Sequence, residues 1–117
     1  VKLEIGCGKG QFVCEAALRE PETDFIAVEK SRNVIVAACE KAMELGLKNV
    51  YFIMGSAEYL PKYLKDDSVT ELFLNFSDFL QKLFFIELTV HLKIPLFFYS
   101  YSRSPRNGNT AVRRRYI

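Results

Sequence analysis

The stretch "LEIGCGKG", residues 3–10, packs three glycines into five positions directly behind an acid. Nothing else in the 117-residue chain constrains the fold as strongly. A turn this free of side chains lets the backbone take left-handed angles and lets another molecule approach closely. Its flanks show what it joins. "VKLEIG" has apolar residues at 1, 3 and 5 and reads as a strand. "QFVCEAALRE" sets Phe12, Ala16 and Arg19 at helical spacing, with Val13 and Ala17 beside them, until Pro21 stops the helix.

The same alternation continues along the chain. "DFIAVE" reads as a second strand. Ser31 is placed to cap a helix over "RNVIVAACEKAMEL", which Gly46 ends. "NVYFIM" is a third strand, "AEYLPKYL" a short helical or irregular piece broken by Pro61, and "SVTELFLNF" a fourth strand. Strands alternating with helices give a parallel sheet covered on its faces, with right-handed crossovers. Ligands of such sheets sit at the carboxyl ends of the strands, near the topological switch point. Those ends carry Glu4 to Gly10, Glu29, Ser56 and Asp78.

The pattern changes after Asp78. "FLQKLFFIELTVHLKIPLFFYSY" is rich in aromatic and β-branched residues without a clean period. Lys82, Glu87, His91 and Lys93 interrupt it. Each charge near the centre of a membrane helix costs about 2.5–3.5 kcal/mol, so the expectation is no membrane span. "IPLFFYSY" is a candidate fifth strand, and residues 102–117 read as a flexible basic tail. Residues 1–78 hold nine Lys/Arg against thirteen Asp/Glu, a net of −4. Residues 79–117 hold seven Lys/Arg against one acid, Glu87, a net of +6. The run Arg113, Arg114, Arg115 is a candidate phosphate contact or a solvated end. Cys7, Cys14 and Cys39 are odd in number and lack metal-ligand spacing, and His91 stands alone. The expectation is therefore free thiols, no metal site and a reducing, cytoplasmic setting. The chain opens on Val1 rather than Met and its first strand starts at once, which reads as a fragment lacking its N-terminal part.

The glycines Gly6, Gly8 and Gly10 are spaced GxGxG, with Glu4 two residues ahead. A dinucleotide fingerprint is GxGxxG, with a pyrophosphate against the helix N-terminus. S-adenosylmethionine has no phosphate; its amino-acid end carries an ammonium and a carboxylate. Bare glycine backbone accommodates that end, and Glu4 attracts the ammonium directly or through water. Glu29, closing the second strand, can accept both ribose hydroxyl protons, a device that nicotinamide enzymes share. Ser56 and Ala57 follow the third strand, where adenine edges are read.

Together, "LEIGCGKGQF", "FIAVEKS", "GSAEYL" and "LFLNFSD" resemble the bacterial tRNA (guanine-N7-)-methyltransferase family over residues 1–78. The resemblance implies an α/β, Rossmann-like class I methyltransferase sheet, incomplete here and followed by an atypical C-terminal segment. It implies S-adenosylmethionine as cofactor and a variable-loop guanine of tRNA as substrate. Glu4 and Glu29 match the family's cofactor-contacting acids, and Gly6, Gly8 and Gly10 its turn. Ser56 stands where the family usually has Asp, which implies weaker adenine binding. Asp78 matches the acid ending the "NFSD" motif, implied in both cofactor and guanine handling, and Lys82 keeps the spacing of a family lysine.

The family continues "PWPK", whereas this chain reads "FLQK". The segment after Asp78 thus reads as foreign to the family, as from a shifted reading frame or a misassembled gene. Its alternatives are an inactive remnant that binds cofactor weakly and a nucleic-acid-binding fragment using its basic tail. Oligomeric state is open. The encoding DNA, translated in its other two frames, should show a "PWPK"-like stretch after Asp78; finding none in either frame removes the frame-shift reading.

Overall fold

The computed structural model describes residues 1–65 and 67–74 in full, and the backbone of two later strands. Five elements alternate through the first part. They are β1 (Lys2–Ile5), α1 (Gln11–Arg19), β2 (Phe25–Glu29), α2 (Arg32–Glu44) and β3 (Val50–Met54). A 3₁₀ segment, Ala57–Lys62, precedes β4 (Glu71–Leu74), and β5 (Leu96–Ser104) and β6 (Gly108–Arg115) follow. The sheet runs β3-β2-β1-β4-β5-β6. All neighbours are parallel except the antiparallel β5–β6 pair. The chain winds outward from β1 to β3, then returns to the far side of β1 with β4. The switch point therefore lies between β1 and β4, and the crevice expected of such sheets opens at their carboxyl ends.

Strands buried on both faces explain why the pattern is almost continuously apolar in β1 and β4. On one face Leu3, Ile5, Val28, Leu72 and Leu74 pack with Ala57, Leu60 and Val69. On the other, Phe25, Ala27 and Phe73 pack under Phe12, Val13, Ala16 and Ala17 of α1 and Ala38 and Ala42 of α2. Phe12 and Phe73 meet edge to face, with ring centroids 5.1 Å apart. The largest fully buried side chains are Phe25, Leu3, Leu72 and Leu74, each stabilising the fold by about 1.5–3 kcal/mol. β3 forms one edge of the sheet, and its Tyr51 and Met54 stay exposed.

Two local devices hold the helices in place. Gly10 precedes α1 in a left-handed conformation, φ 80°, and a Cβ there would lie 2.9 Å from the Cβ of Ala38. Glycine at this position lets α1 approach α2. At the other end, Pro21 ends α1, and buried Asn49 gathers carbonyls of α1 and of the turn that follows it. Its amide lies 3.2, 3.0 and 2.9 Å from the carbonyls of Ala17, Glu20 and Thr23. Its two protons must be shared among the three acceptors. The Asn49 carbonyl accepts from Phe25 N–H at 2.8 Å, so one residue ties α1, β2 and β3 together.

The expected strands and helices are present, with three differences. β4 is shorter at its start than "SVTELFLNF" predicts, beginning at Glu71. Ser31 is the N-cap of α2, but its hydroxyl makes no capping hydrogen bond. Residues 102–117, expected as a flexible tail, instead supply the end of β5 and all of β6. Pairing from Phe97↔Arg115 to Ser104↔Gly108 satisfies backbone groups that the edge of β5 would otherwise leave open, a gain that composition does not register. Asp78, Lys82 and His91 lie outside the described residues. Asn49→Ala should lower unfolding free energy by about 1–3 kcal/mol, because buried carbonyls lose their donor; denaturant unfolding measures it, and an unchanged midpoint contradicts the clasp.

Candidate functional site

The glycine turn leaves β1 at the switch point and is pinned to β2. Gly6 and Cys7 N–H donate to the Val28 carbonyl at 2.8 and 3.0 Å. Gly10 N–H closes the turn on the Cys7 carbonyl at 3.0 Å. Gly6, Gly8 and Gly10 all have positive φ. They divide their work, however. A Cβ on Gly8 would meet nothing within 4 Å, whereas one on Gly10 would strike α2. Gly8 thus supplies the open backbone that a ligand can reach, and Gly10 supplies the helix approach behind it.

Glu29 ends β2 with both carboxylate oxygens engaged. Gly8 N–H donates to Oε2 at 3.1 Å and Ser31 N–H to Oε1 at 3.3 Å. Each oxygen keeps a further acceptor position, so the carboxylate is oriented yet still able to take a diol. It is also the bolt that holds the turn to the start of α2.

Glu4 sits differently. In the β1–β2 register it lies opposite Ala27, and across β4 opposite Phe73. Side-chain alternation puts it on the α1/α2 face, the same face as Ala27 and Glu29. It is 3% exposed, and its Oε2 has no hydrogen-bond partner among the described residues. Burial pushes its carboxyl up to about 8, and the negative charge of Glu29 adds to this. Burial likewise pushes the Cys7 thiol up to about 12, with Glu4 and Glu29 adding to it. Cys14 is raised by burial as well, with Lys41 opposing and Glu4 assisting. Neither thiol is a nucleophile at neutral pH. Among the described residues no group of three His, Cys, Asp or Glu side chains could hold a metal ion.

The third strand contributes less than expected. Gly55 N–H donates to the Glu29 carbonyl at 3.0 Å, which brings the end of β3 beside the end of β2. Ser56 is half-buried there, its hydroxyl making no cap hydrogen bond. Ala57 buries its methyl in the core with Leu3 and Ile5, so only its backbone is available to a ligand. Glu4, Gly8 and Glu29 are thus brought together, Ser56 stands at the next strand end, and Gly10 and Ala57 support from behind. The Gly8 and Ser31 amides that orient Glu29 were not legible in the sequence, because backbone donors carry no residue-type signal. Ala38 had a faint one: it is a small residue of "VAAC", and it lies against Gly10.

The Glu4 shift has a direct consequence for stability. Between about 4.5 and about 8 the native state binds more protons at Glu4 than the unfolded chain does, so this group makes stability fall as pH rises through that window. Glu4→Gln should remove that component and be increasingly more stable than the parent toward pH 8. Denaturant unfolding across the window checks this; parallel curves for the two proteins contradict it.

Comparison with known proteins gives concordant findings. A family model described as "Putative methyltransferase" matches residues 1–82. A tRNA (guanine-N(7)-)-methyltransferase of Staphylococcus carnosus is 38% identical over 78 residues, 67% of this chain and 37% of that protein. The enzyme of that name from Limosilactobacillus reuteri is 45% identical over 76 residues, 65% of this chain and 36% of that protein. The chain thus spans little more than a third of the length of these curated relatives. Among solved structures, a SAM dependent methyltransferase from Aquifex aeolicus superposes with a TM-score of 0.66 at 24% identity. It covers 92% of this chain and 60% of its own, and shows the shared fold. The family match covers most of the chain and the sheet order agrees with the shared fold, so the chain belongs to this methyltransferase family.

Proposed function

We propose that this chain holds S-adenosylmethionine at the β1–β2–β3 strand ends, as part of a tRNA (guanine-N7-)-methyltransferase. One observation carries the reading: a buried carboxylate oxygen of Glu4 without a partner among the described residues, in a turn whose Gly8 is open to space. An orphan buried acid is costly, and a cation supplied by a ligand relieves that cost. The relatives named for this activity support the tRNA substrate.

When bound, the cofactor supplies a methyl group on a sulfonium, open to in-line attack by a guanine N7 lone pair. Glu4 accepts from the ligand's ammonium. Glu29, already oriented by Gly8 and Ser31, accepts from the ribose hydroxyls. The open backbone at Gly8 lets the methionine part lie close, and Ser56 offers a hydroxyl to the adenine edge. N7 is unprotonated at neutral pH, so no general base is required. Catalysis then rests on proximity and orientation, effects worth up to about 7–11 kcal/mol. In this reading Asp78 accepts from guanine N1–H and the exocyclic amine, and Lys82 meets a phosphate. Residues 1–78 are the cofactor half of the domain, working in the cytoplasm without a metal. No helix among the described residues is long and apolar enough to cross a membrane.

A second reading, cofactor binding without transfer, is favoured by the departure from the family's sequence after Asp78, where "FLQK" stands in place of "PWPK". Calorimetric titration with S-adenosylhomocysteine and methyl transfer to unmodified tRNA separate the two. Binding is expected, with affinity falling about tenfold or more in Glu29→Ala through loss of charge-assisted hydrogen bonds. Transfer by this chain alone is expected below detection; robust turnover shows that residues 79–117 serve the substrate after all. No heat at millimolar ligand overturns the cofactor reading.

A further inference from the structure

We propose that the β5–β6 ribbon is a landing surface for an unpaired polynucleotide strand, because its register brings Tyr99 and Tyr101 onto one face with Arg103, Arg113 and Arg115. The proposal goes beyond the cofactor site. It rests on strand pairing and residue order, and holds whatever occupies the glycine turn.

The pairing first sets where the ribbon stands. Among the described residues, β5 pairs with β4 from Leu96 to Phe98, whereas its pairing with β6 runs on to Ser104. Tyr99 to Ser104 therefore extend past the described end of β4 with β6 as their partner. Those six residues, at about 3.3 Å each, make an overhang of about 20 Å. β4 and β5 are parallel, so the overhang leaves from the carboxyl end of the sheet, the end that holds Gly8 and Glu29. β5 is two strands from β1, which sets the ribbon about 10 Å to the side of the turn. α1 and α2 pack chiefly over β2 and β3, on the other flank. The ribbon thus stands at the rim of the strand-end site.

Register then sets what the ribbon offers. Alternate residues of a strand share a face, and directly opposed residues of an antiparallel pair share it too. The pairs Phe97↔Arg115 and Tyr99↔Arg113 set an aromatic residue opposite an arginine twice in succession. Tyr101 and Arg103 continue that face. The other face carries Ser100 and Ser102 opposite Val112 and Thr110, with Arg114 at its base. Residues 96–115 hold five arginines and no acid. Aromatic residues alone suit an apolar partner, and arginines alone suit any polyanion. Their alternation suits a chain that presents flat bases and phosphates in turn. Bases of any sequence stack on aromatic residues, and arginine meets phosphate in a fixed fork. Positions two apart on a strand recur at about 6.6 Å, about twice the 3.4 Å step of stacked nucleotides. The arginine run on the outer strand also sets like charges against strand-to-strand pairing with a second copy of the chain.

The test is fluorescence anisotropy of the full chain with short labelled oligouridylate and oligothymidylate, at salt from about 50 to about 200 mM. Both should bind, because stacking and phosphate contacts do not read the 2′-hydroxyl. Three arginine–phosphate contacts on a single strand give a slope of about −2 for log affinity against log salt. Arg113→Ala and Arg115→Ala should each flatten that slope by about 0.7. Arg114→Ala removes the same charge from the opposite face and should move affinity less than about 2-fold. Tyr99→Ala and Tyr101→Ala should each weaken binding about 5-fold or more with the slope unchanged. Should a tyrosine variant not fold, the comparison of Arg113 with Arg114 decides alone. Equal losses at Arg113, Arg114 and Arg115 mark indiscriminate charge attraction and overturn the proposal. So do folded tyrosine variants that bind like the parent, duplex RNA bound as tightly as the single strand, binding of neither oligonucleotide, or uptake by phosphatidylglycerol vesicles in their place.

Discussion

A buried acid whose Oε2 meets no donor among the described residues is the constraint around which the described part of this chain is organised. Glu4 stands on the central strand of a parallel sheet, where both faces are covered and the environment is apolar. Folding alone gains nothing from a carboxyl there; leucine or valine would pack better. A cation supplied by a ligand would complete it. The rest of the switch point is arranged to admit such a ligand. Gly8 leaves backbone bare, Glu29 is held by two amides with acceptor positions to spare, and the turn is locked to β2 through the Val28 carbonyl.

Rigidity comes from behind the site. Gly10 brings α1 within van der Waals contact of Ala38, and Asn49 fastens the far end of α1 to the starts of β2 and β3. The turn therefore has a fixed helix on one side and a fixed strand on the other. A ligand reaching it meets a preformed surface and need not order a loop, which limits the entropy cost of binding. The two raised thiols, Cys7 and Cys14, fit the same picture of an enclosed apolar bed beneath the turn, chemically silent at neutral pH.

Much of this was legible in the sequence because two periodicities and a handful of glycines carry it. The apolar alternation of "VKLEI", the helical spacing of Phe12, Val13, Ala16 and Ala17, and Pro21 as a stop gave the β-α-β order and the strand-end acids. What stayed hidden depends on contacts between distant backbones. Glycine spacing could not say that Gly8 faces open space while Gly10 faces Ala38. The N-cap preference of Ser31 did not reveal that its amide, not its hydroxyl, is the group in use. The pairing of residues 108–115 was missed because Gly, Asn and Arg read as coil, whereas an open strand edge rewards any backbone able to extend along it.

The most direct measurement is a crystal structure of the chain with S-adenosylhomocysteine. The account predicts the ligand's amino nitrogen within hydrogen-bond distance of Glu4 Oε2 and both ribose hydroxyls on the Glu29 carboxylate. A ligand seated elsewhere, or one seated here with Glu4 Oε2 still lacking a donor, would contradict it.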